Sequence, residues 1–501
     1  MAAGEPIGST PAGPPPSLAR TAAGGVAWQG VSLMLGKAAT LVATVVLARL
    51  LTPAEFGLVG FALAFVVLAE YVSDLGVAQA LVYFRGTRDE DAAFALAMAS
   101  GAALCLAALA AAPAIAGFFG EPDVAPLVRL LSVALLAGAA RQVPDALLRR
   151  DLLFRRRMVT EVARAVVQGA VSIGLAVAGA GAWAIAWGYL AGTVASAAVA
   201  WAAVAYRPGR GVLRPGRRAV RRLLGYGAPA AVQGLLAALI FDVDYLIVGK
   251  ALGAEALGTY TLAFRLPQLL IVNVFFVLSA VAFPMFSRVR DDPSRLRRGY
   301  LTSIRLQSAY GLAAGAGLSV VAPMAVPVLL GPRWAAAVGP LEALALYAAA
   351  RSLGAGAVDV YKGTGRPGLA AAIAAVRLAV LVPALLIAVD GGIGAVAWTQ
   401  AGLALVFAAG MQVVAMRTVG VTLAELATAM RPGVALACGA VLGAGAVRLA
   451  LDGPVGLRLA AALGAGAVVA VAALWVVDAQ FVREVRALLR RPARAPAVAA
   501  T

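Results

Sequence analysis

The sequence predicts an all-α, polytopic membrane protein. Of its 501 residues, 62% are hydrophobic and only 13% are charged, and the mean hydropathy is +0.90. An ordinary soluble protein is about 45–50% apolar and about 25% charged. Apolar stretches of roughly 20 residues, enough to cross a hydrocarbon core about 30 Å thick, recur from Gly25 to Val477.

Fourteen transmembrane helices are predicted from these stretches. They cover about 25–47, 56–76, 92–117, 124–146, 158–180, 182–205, 223–249, 257–283, 300–330, 337–358, 368–389, 393–416, 433–451 and 455–477. The predicted divisions are a disordered cytoplasmic tail (1–22), a six-helix bundle (23–205), a basic cytoplasmic linker (206–222), a second six-helix bundle (223–416), two additional helices (417–477) and a basic cytoplasmic tail (478–501).

The positive charges predict the orientation of these helices. With the N-terminus in the cytoplasm, the inside segments hold 29 Lys and Arg residues. The outside connections hold only Arg49, Lys250, Arg333 and Arg458. Because Lys and Arg concentrate in cytoplasmic loops, both termini are expected to be cytoplasmic. The same distribution explains the net charge of +18 without nucleic-acid binding, which would need aromatic residues among the basic ones. The excess of Arg over Lys and the abundance of Ala and Gly suggest a GC-rich bacterial genome, and therefore a bacterial cell membrane.

Composition also limits the chemistry that the chain can perform. It contains no histidine, and its two cysteines, Cys105 and Cys438, lie alone in apolar stretches. Metal sites, Ser/His/Asp triads and disulfides are therefore not expected. The outside loops are too short to carry the acidic or arginine residues of a membrane glycosyltransferase. We therefore expect no catalytic residues, no metal, no cofactor and no enzymatic activity.

The two halves of the chain repeat one another at a spacing of about 200 residues. LARLLTPAEFGLVGFALAF surrounds Gly57, and VGKALGAEALGTYTLAFRL surrounds Gly258. Each half opens with a helix that contains a Gln-Gly pair, Gln29-Gly30 in one and Gln233-Gly234 in the other. Tandem bundles with a binding site between them are typical of alternating-access transporters.

Several segments, in order over nearly the whole chain, resemble one known family. They are ARLLTPAEFGLVGFA (48–62), RDLLFRRRMV (150–159), GAGAWAIAWGYL (179–190), FDVDYLIVGKALGAEALGTYTLAFRL (241–266), AFPMFSRVRDDPSRLRRGY (282–300), LLGPRWAAAVGPLEALA (329–345) and KGTGRP (362–367). The chain resembles the Wzx-type polysaccharide and O-antigen flippases, in the polysaccharide-transport branch of the multidrug/oligosaccharidyl-lipid/polysaccharide exporter superfamily. The resemblance implies movement of an undecaprenyl-diphosphate-linked oligosaccharide to the outer leaflet, beside membrane lipids and with a polysaccharide polymerase and glycosyltransferases as partners.

A carrier of diphosphate and sugar needs polar and cationic side chains inside the membrane, where such residues mark substrate paths. The candidates for a substrate cavity are Lys37, Arg265, Arg351, Arg377, Gln29, Gln233 and Tyr226. Tyr226, Gln233 and Asp244 share one line along the seventh helix, since about 100° separates successive residues. The four arginines nearest to span ends, Arg129, Arg141, Arg305 and Arg448, are expected to extend to the membrane surface.

The acidic residues have two interpretations, ion coupling and structural pairing. They are Glu70, Asp74, Asp242 and Asp244. Glu70 and Asp74 share one helix face, and their repulsion would favour a bound proton or cation. Alternatively, Glu70 neutralises Lys37, Asp74 meets water near Arg85, and Asp242 or Asp244 pairs with Arg265.

Two other functions fit the sequence less well than a flippase. A cation-coupled multidrug-type antiporter would use the acidic residues as ion sites and would have a negative cavity. A non-transporting scaffold for envelope assembly would have a sealed interface between its halves.

Overall fold

The computed structural model describes residues 36–84, 89–151 and 153–490, and they are almost entirely helical. The helices are α1 (36–50), α2 (Pro53–Ser73), α3 (Val77–Tyr83), α4 (Glu90–Phe119), α5 (Val124–Arg150), α6 (Phe154–Val177), α7 (Ala182–Ala203), α8 (Arg217–Pro267), α9 (Asn273–Val289), α10 (Pro293–Ala325), α11 (Val338–Gly363), α12 (Pro367–Ala388), α13 (Gly392–Val419), α14 (Leu423–Ala450) and α15 (Val455–Arg490). The all-α prediction is confirmed.

Every predicted span coincides with a helix over its described residues. By length and composition, nine helical segments of the described ranges could cross a membrane, and one of them, Gly368–Val419, contains two predicted spans. The number of fourteen crossings therefore stays a prediction. The tail 1–22, Gln29 and Arg85 lie outside the described residues.

Local sequence explains where several helices begin and bend. Thr52 and Glu55 cap the start of α2 reciprocally, the Thr52 N–H donating to Glu55 Oε2 (2.7 Å), with Pro53 at the first helical position. Within α8, Gly253 has a left-handed φ of 83°, and this break separates the two spans predicted at 223–249 and 257–283. A π-helical turn, Gln268–Val272, then joins α8 to α9.

The two halves meet where α2 crosses α8. A Cβ atom on Gly57 would lie 1.7 Å from the carbonyl oxygen of Ala254, and one on Gly258 would lie 1.8 Å from that of Pro53. Repeat-equivalent glycines thus allow the two backbones to touch. Around this crossing, residues of both halves form one large apolar core that includes Phe61 and Trp334.

The end of the molecule around this crossing is the predicted outer side. We call it the opposite end, because the linker 206–222 lies at the other end, the linker end. All four predicted outside cations donate there to carbonyl oxygens near helix C-termini: Arg49 to Val328 and Leu329, Lys250 to Phe118, Arg333 to Leu51, and Arg458 to Arg448. Such carbonyls lack helical partners and carry partial negative charge. The first three bonds join one half to the other, and the buried Trp334 indole adds a fourth by donating to the Ala48 carbonyl oxygen (2.7 Å).

The linker end of the molecule is held by acidic residues at the start of α4. Asp89 forms an ion pair with Arg222. The Asp91 carboxylate accepts from the Tyr206 hydroxyl (2.7 Å) and the Gly209 N–H (3.1 Å). Burial and this contact with Asp91 raise the pKa of the Tyr206 phenol above its usual range. The linker and the first turns of α8 are therefore fastened to the first half.

At the far edge of the second half, α14 packs against both α10 and α15.

The crossing of α2 and α8 generates a stability prediction. Gly57→Ala would drive a methyl group into the Ala254 backbone, whereas the nearest atom for Gly60→Ala, on the same helix, is the Leu257 side-chain end at 3.3 Å. We expect Gly57→Ala to destabilise the protein by ~1–3 kcal/mol, as overpacking does, and Gly60→Ala to stay within ~0.5 kcal/mol of wild type. Unfolding midpoints in detergent measure both, and equal midpoints would contradict the close contact.

Candidate functional site

Lys37 lies near two other cations, one from each half of the chain. It is on α1, within electrostatic range of Arg164 on α6 and Arg265 on α8, and of the carboxylate of Glu161. Arg265 is half-buried, and its guanidinium donates to Gln268 Oε1 (3.3 Å). In the described part of the chain, neither Lys37 nor Arg265 forms an ion pair. We call Lys37, Arg164 and Arg265 the junction cluster.

Arg164 connects the junction cluster to an acidic residue through an aromatic ring. Its guanidinium carbon lies 5.2 Å from the centre of the Tyr189 ring. The Tyr189 hydroxyl donates to Glu70 Oε1 (2.8 Å). Glu70 is therefore held by Tyr189 and lies in the field of Arg164, and Lys37 is not its hydrogen-bond partner.

A cavity of about 260 Å³, the first-half cavity, lies beside this group. Its charged lining residues are Glu70, Asp74, Arg141, Asp145, Arg149 and Arg164. Asp145 is buried and pairs with both Arg149 and Arg157, the latter at 2.9 Å. Asp74 Oδ1 accepts from the Ala78 N–H (3.3 Å). Glu70 and Asp74 thus line one cavity, as their shared helix face predicts, but each has its own hydrogen-bond donors.

A second cavity, of about 380 Å³, lies among α8, α9, α11, α12 and α13, and we call it the second-half cavity. Most of its wall is apolar. Its charged lining residues are Arg351, Asp359, Lys362 and Arg377. Two predicted cavity residues, Arg351 and Arg377, are therefore brought together inside the second bundle, apart from Lys37 and Arg265, which do not line this cavity.

The polar groups of the second-half cavity are poorly satisfied. Arg377 is only 8% exposed, and its Nε and Nη2 atoms have no hydrogen-bond partner among the described residues. The Arg351 guanidinium lies 3.6 Å from the centre of the Phe241 ring and donates to the Tyr347 hydroxyl (3.2 Å). Buried polar groups in native proteins are nearly always hydrogen-bonded, so this cavity is built for a ligand or for water.

The remaining candidates lie elsewhere. Asp244 is buried and accepts from the Tyr260 hydroxyl (2.8 Å) and the Gln400 amide (3.0 Å). Neither Asp242 nor Asp244 forms an ion pair with Arg265, so within the described residues that alternative is not realised.

The predicted polar line along the seventh helix runs toward the linker end. Tyr226 lies there and stacks on Tyr83, with the ring centres 4.5 Å apart. The side chain of Gln233 lies outside what the structure describes.

Three of the four arginines expected to extend to the membrane surface have carboxylate partners. Arg305 pairs with Asp478 (2.6 Å), Arg141 with Glu161 (3.5 Å), and Arg448 with Glu342 (3.9 Å). Partners on neighbouring helices compete with water for a guanidinium, and sequence depth alone does not reveal them. The sequence analysis also missed Asp359, Tyr189 and Phe241. A single polar or aromatic residue in an apolar helix does not reveal whether its side chain points toward a cavity, a neighbouring helix or lipid.

The fold and the charged cavities define an all-α polytopic membrane protein with polar interior sites. Residues 46–339 match the family described as Polysaccharide biosynthesis protein, and the chain belongs to that family. The resemblance read from the sequence is confirmed.

Two curated relatives are similar over most of their length. Lipopolysaccharide biosynthesis protein WzxC of Escherichia coli (strain K12) is 26% identical over 344 residues, which cover 68% of this chain and 69% of that protein. Teichuronic acid biosynthesis protein TuaB of Bacillus subtilis (strain 168) is 26% identical over 357 residues, covering 68% and 70%.

Solved structures show the same fold. The inward closed conformation of the lipid II flippase MurJ matches with a TM-score of 0.71 at 10% identity, over 91% of this chain and 99% of that one. An inward-facing MATE family multidrug resistance transporter of the MOP superfamily matches with a TM-score of 0.64 at 17% identity, over 79% and 98%.

The unsatisfied Arg377 generates a prediction. An unpaired buried charge is unfavourable, and replacing buried ionic groups by apolar ones of similar volume often stabilises a protein by ~1–4 kcal/mol. We therefore expect Arg377→Met to raise the unfolding midpoint in detergent. The control, Arg157→Met, should lower the midpoint because it removes one of the two partners of the buried Asp145. A lower midpoint for Arg377→Met would mean that Arg377 has a structural partner.

Proposed function

We propose that this protein is a flippase that moves an undecaprenyl-diphosphate-linked oligosaccharide from the inner to the outer leaflet of the bacterial cytoplasmic membrane. The observation that carries the proposal is the junction cluster, where both bundles contribute cations that lack ion-pair partners among the described residues. Cations inside a membrane protein are costly and mark the path of a charged substrate. A diphosphate carries the opposite charge and many acceptor oxygens.

The family and the printed names of the relatives support this substrate class. WzxC and TuaB are named for the biosynthesis of lipopolysaccharide and of teichuronic acid, and MurJ is named a lipid II flippase. Glycosyltransferases would then assemble the substrate before transport, and a glycan polymerase would use it after transport. The protein itself would carry its substrate without chemical change, with both termini in the cytoplasm.

The mechanism follows from where the two halves touch. The bonds of Arg49, Lys250 and Arg333 hold the halves together at the opposite end. The Tyr83–Tyr226 stack holds them together at the linker end, so the diphosphate enters toward the junction cluster when the linker-end contacts separate. Release on the outer side requires the bonds of Arg49, Lys250 and Arg333 to break and the contact between α2 and α8 to separate, because both lie at the opposite end. Each bond joins a side chain to a backbone carbonyl, and water can replace it when the end opens.

The charge of the second-half cavity argues against a cation-coupled drug antiporter as the whole function. Arg351, Lys362 and Arg377 outnumber Asp359 in the second-half cavity. A cationic drug would be repelled there. The first-half cavity does hold Glu70 and Asp74, and coupling of substrate movement to a proton or sodium gradient remains a separate hypothesis for that pair.

The junction cluster predicts a charge requirement for transport. Lys37→Ala and Arg265→Ala should each lower transport of the lipid-linked oligosaccharide in proteoliposomes at least tenfold, because each removes a phosphate contact worth ~1.4 kcal/mol or more. Lys37→Arg and Arg265→Lys should retain part of the activity. Arg458→Ala, at the α14–α15 connection, is the matched control and should transport normally. Normal transport by both alanine variants, at normal protein levels, would refute the proposal.

Ion coupling makes a second prediction. If Glu70 and Asp74 couple transport to a cation, imposed proton or sodium gradients should accelerate wild-type transport in proteoliposomes. The double variant Glu70→Gln, Asp74→Asn should then lose the gradient dependence. Equal rates under all gradients, with an unimpaired double variant, would exclude coupling at this pair and leave the flippase proposal intact.

A further inference from the structure

We infer that the second-half cavity is a separate subsite that binds an acidic sugar of the transported glycan, with its carboxylate on Arg377 and Arg351 and a hydroxyl group on Asp359. This inference rests on the proposed flippase function. It adds that the protein distinguishes glycans by a charged sugar, at a place other than the junction cluster.

Arg377 supplies the strongest argument for an anionic ligand. Its side chain is more than nine-tenths buried, it lines the cavity, and two of its nitrogens lack hydrogen-bond partners in the part of the chain described. A guanidinium has five N–H donors in a planar fork and stays charged at all physiological pH values. A carboxylate would satisfy two of these donors at once, in the paired geometry that Arg favours.

Arg351 faces the same cavity and lies within electrostatic range of Arg377. Stacking on Phe241 fixes the plane of its guanidinium, and one donor is used by the Tyr347 hydroxyl. The nearby Asp244 is occupied by Tyr260 and Gln400. The Arg351 and Arg377 guanidinium groups therefore share a largely apolar space, and Asp244 does not pair with either of them. An anion between the two groups would relieve their repulsion.

Asp359 distinguishes an acidic sugar from a simple anion. It is 5% exposed and accepts from Ser279, yet its Oδ2 atom has no partner among the described residues. The diphosphate of a lipid-linked glycan is a diester without a P–O–H group, so it has no donor to offer and would be repelled by this carboxylate. A sugar hydroxyl donates a hydrogen bond, so one ligand with an acidic group and hydroxyl groups satisfies both ends of the cavity.

The cavity has room for the acidic sugar together with a neighbouring sugar of the glycan. Arg351 and Lys362 lie on one face of α11, and Asp359 adjoins that face, so the polar groups extend over ~16 Å at 1.5 Å per residue. The volume of about 380 Å³ is many times the ~10–15 Å³ that one water needs in the same measure. The apolar wall suits the C–H faces of a pyranose ring.

Binding of free sugars tests the subsite directly. The purified protein in lipid nanodiscs is titrated at constant ionic strength with glucuronate, galacturonate, glucose or dimethyl phosphate, a phosphate diester without a donor, and the heat of binding is measured. We expect at least one uronate to bind, and glucose and dimethyl phosphate to bind at least tenfold more weakly. Arg377→Gln should weaken uronate binding at least tenfold, and Asp359→Asn should reduce the preference for uronate over dimethyl phosphate. The control variant Arg458→Gln should bind as wild type does.

Three results would overturn the subsite. They are the absence of uronate binding, uronate binding that is unchanged in Arg377→Gln, and dimethyl phosphate binding that equals uronate binding and is lost in that variant. The last result would assign the cavity to the diphosphate of the carrier. Folding of Arg377→Gln is checked by its unfolding midpoint, and Arg377→Lys provides a variant that keeps the charge but loses the planar fork.

Transport separates this inference from the proposed function. Proteoliposomes are loaded with diphosphate-linked oligosaccharides that differ only in one sugar, glucose or a uronic acid. Arg377→Gln should slow transport of the acidic glycan at least fivefold more than that of the neutral one, whereas Lys37→Ala should slow both equally. If wild type moves neither, the proposed function is wrong; if it moves both and Arg377→Gln does not discriminate, only the subsite is wrong.

Discussion

The contact between the backbones of α2 and α8 determines how the rest of the molecule is arranged. Gly57 and Gly258 bring the two helices so close that no side chain fits between them. In a lipid environment, where helices gain little from hydrophobic burial against each other, such close van der Waals contact is a main source of association. The large apolar core forms around it, with Phe61 and Trp334 fully buried. The same crossing brings the second half of α8, with Arg265, next to the first half of the chain.

Acidic residues are distributed unevenly, and this leaves the interior positive. At the linker end, Asp89, Asp91 and Asp145 are bound to arginines or to the linker. The junction cluster and the second-half cavity hold more cations than acids. The interior potential therefore follows from which carboxylates are already neutralised elsewhere, and the net charge of the chain alone does not determine it.

The sequence predicted the helices, the repeat and the interior position of Arg351 and Arg377, because hydropathy and depth follow from the order of residues. The partners of these residues depend on the direction in which each helix presents its side chains, and the sequence alone specified that direction poorly. The break at Gly253 and the π-helical turn Gln268–Val272 both change the helical phase, so angles counted along the seventh and eighth spans do not carry past them. Asp244 was an expected partner of Arg265 by depth, yet it bonds Tyr260 and Gln400.

The bonds from cations to helix-end carbonyls at the opposite end have a consequence for biogenesis. In the predicted orientation, Arg49, Lys250 and Arg333 cross the membrane during insertion, against the usual bias that keeps such residues inside. Their acceptors belong to the other half of the chain, so none of the three bonds can form until both halves have been inserted and have met. In the predicted orientation, an incomplete or misassembled molecule would therefore leave these three cations without their carbonyl acceptors on the far side of the membrane.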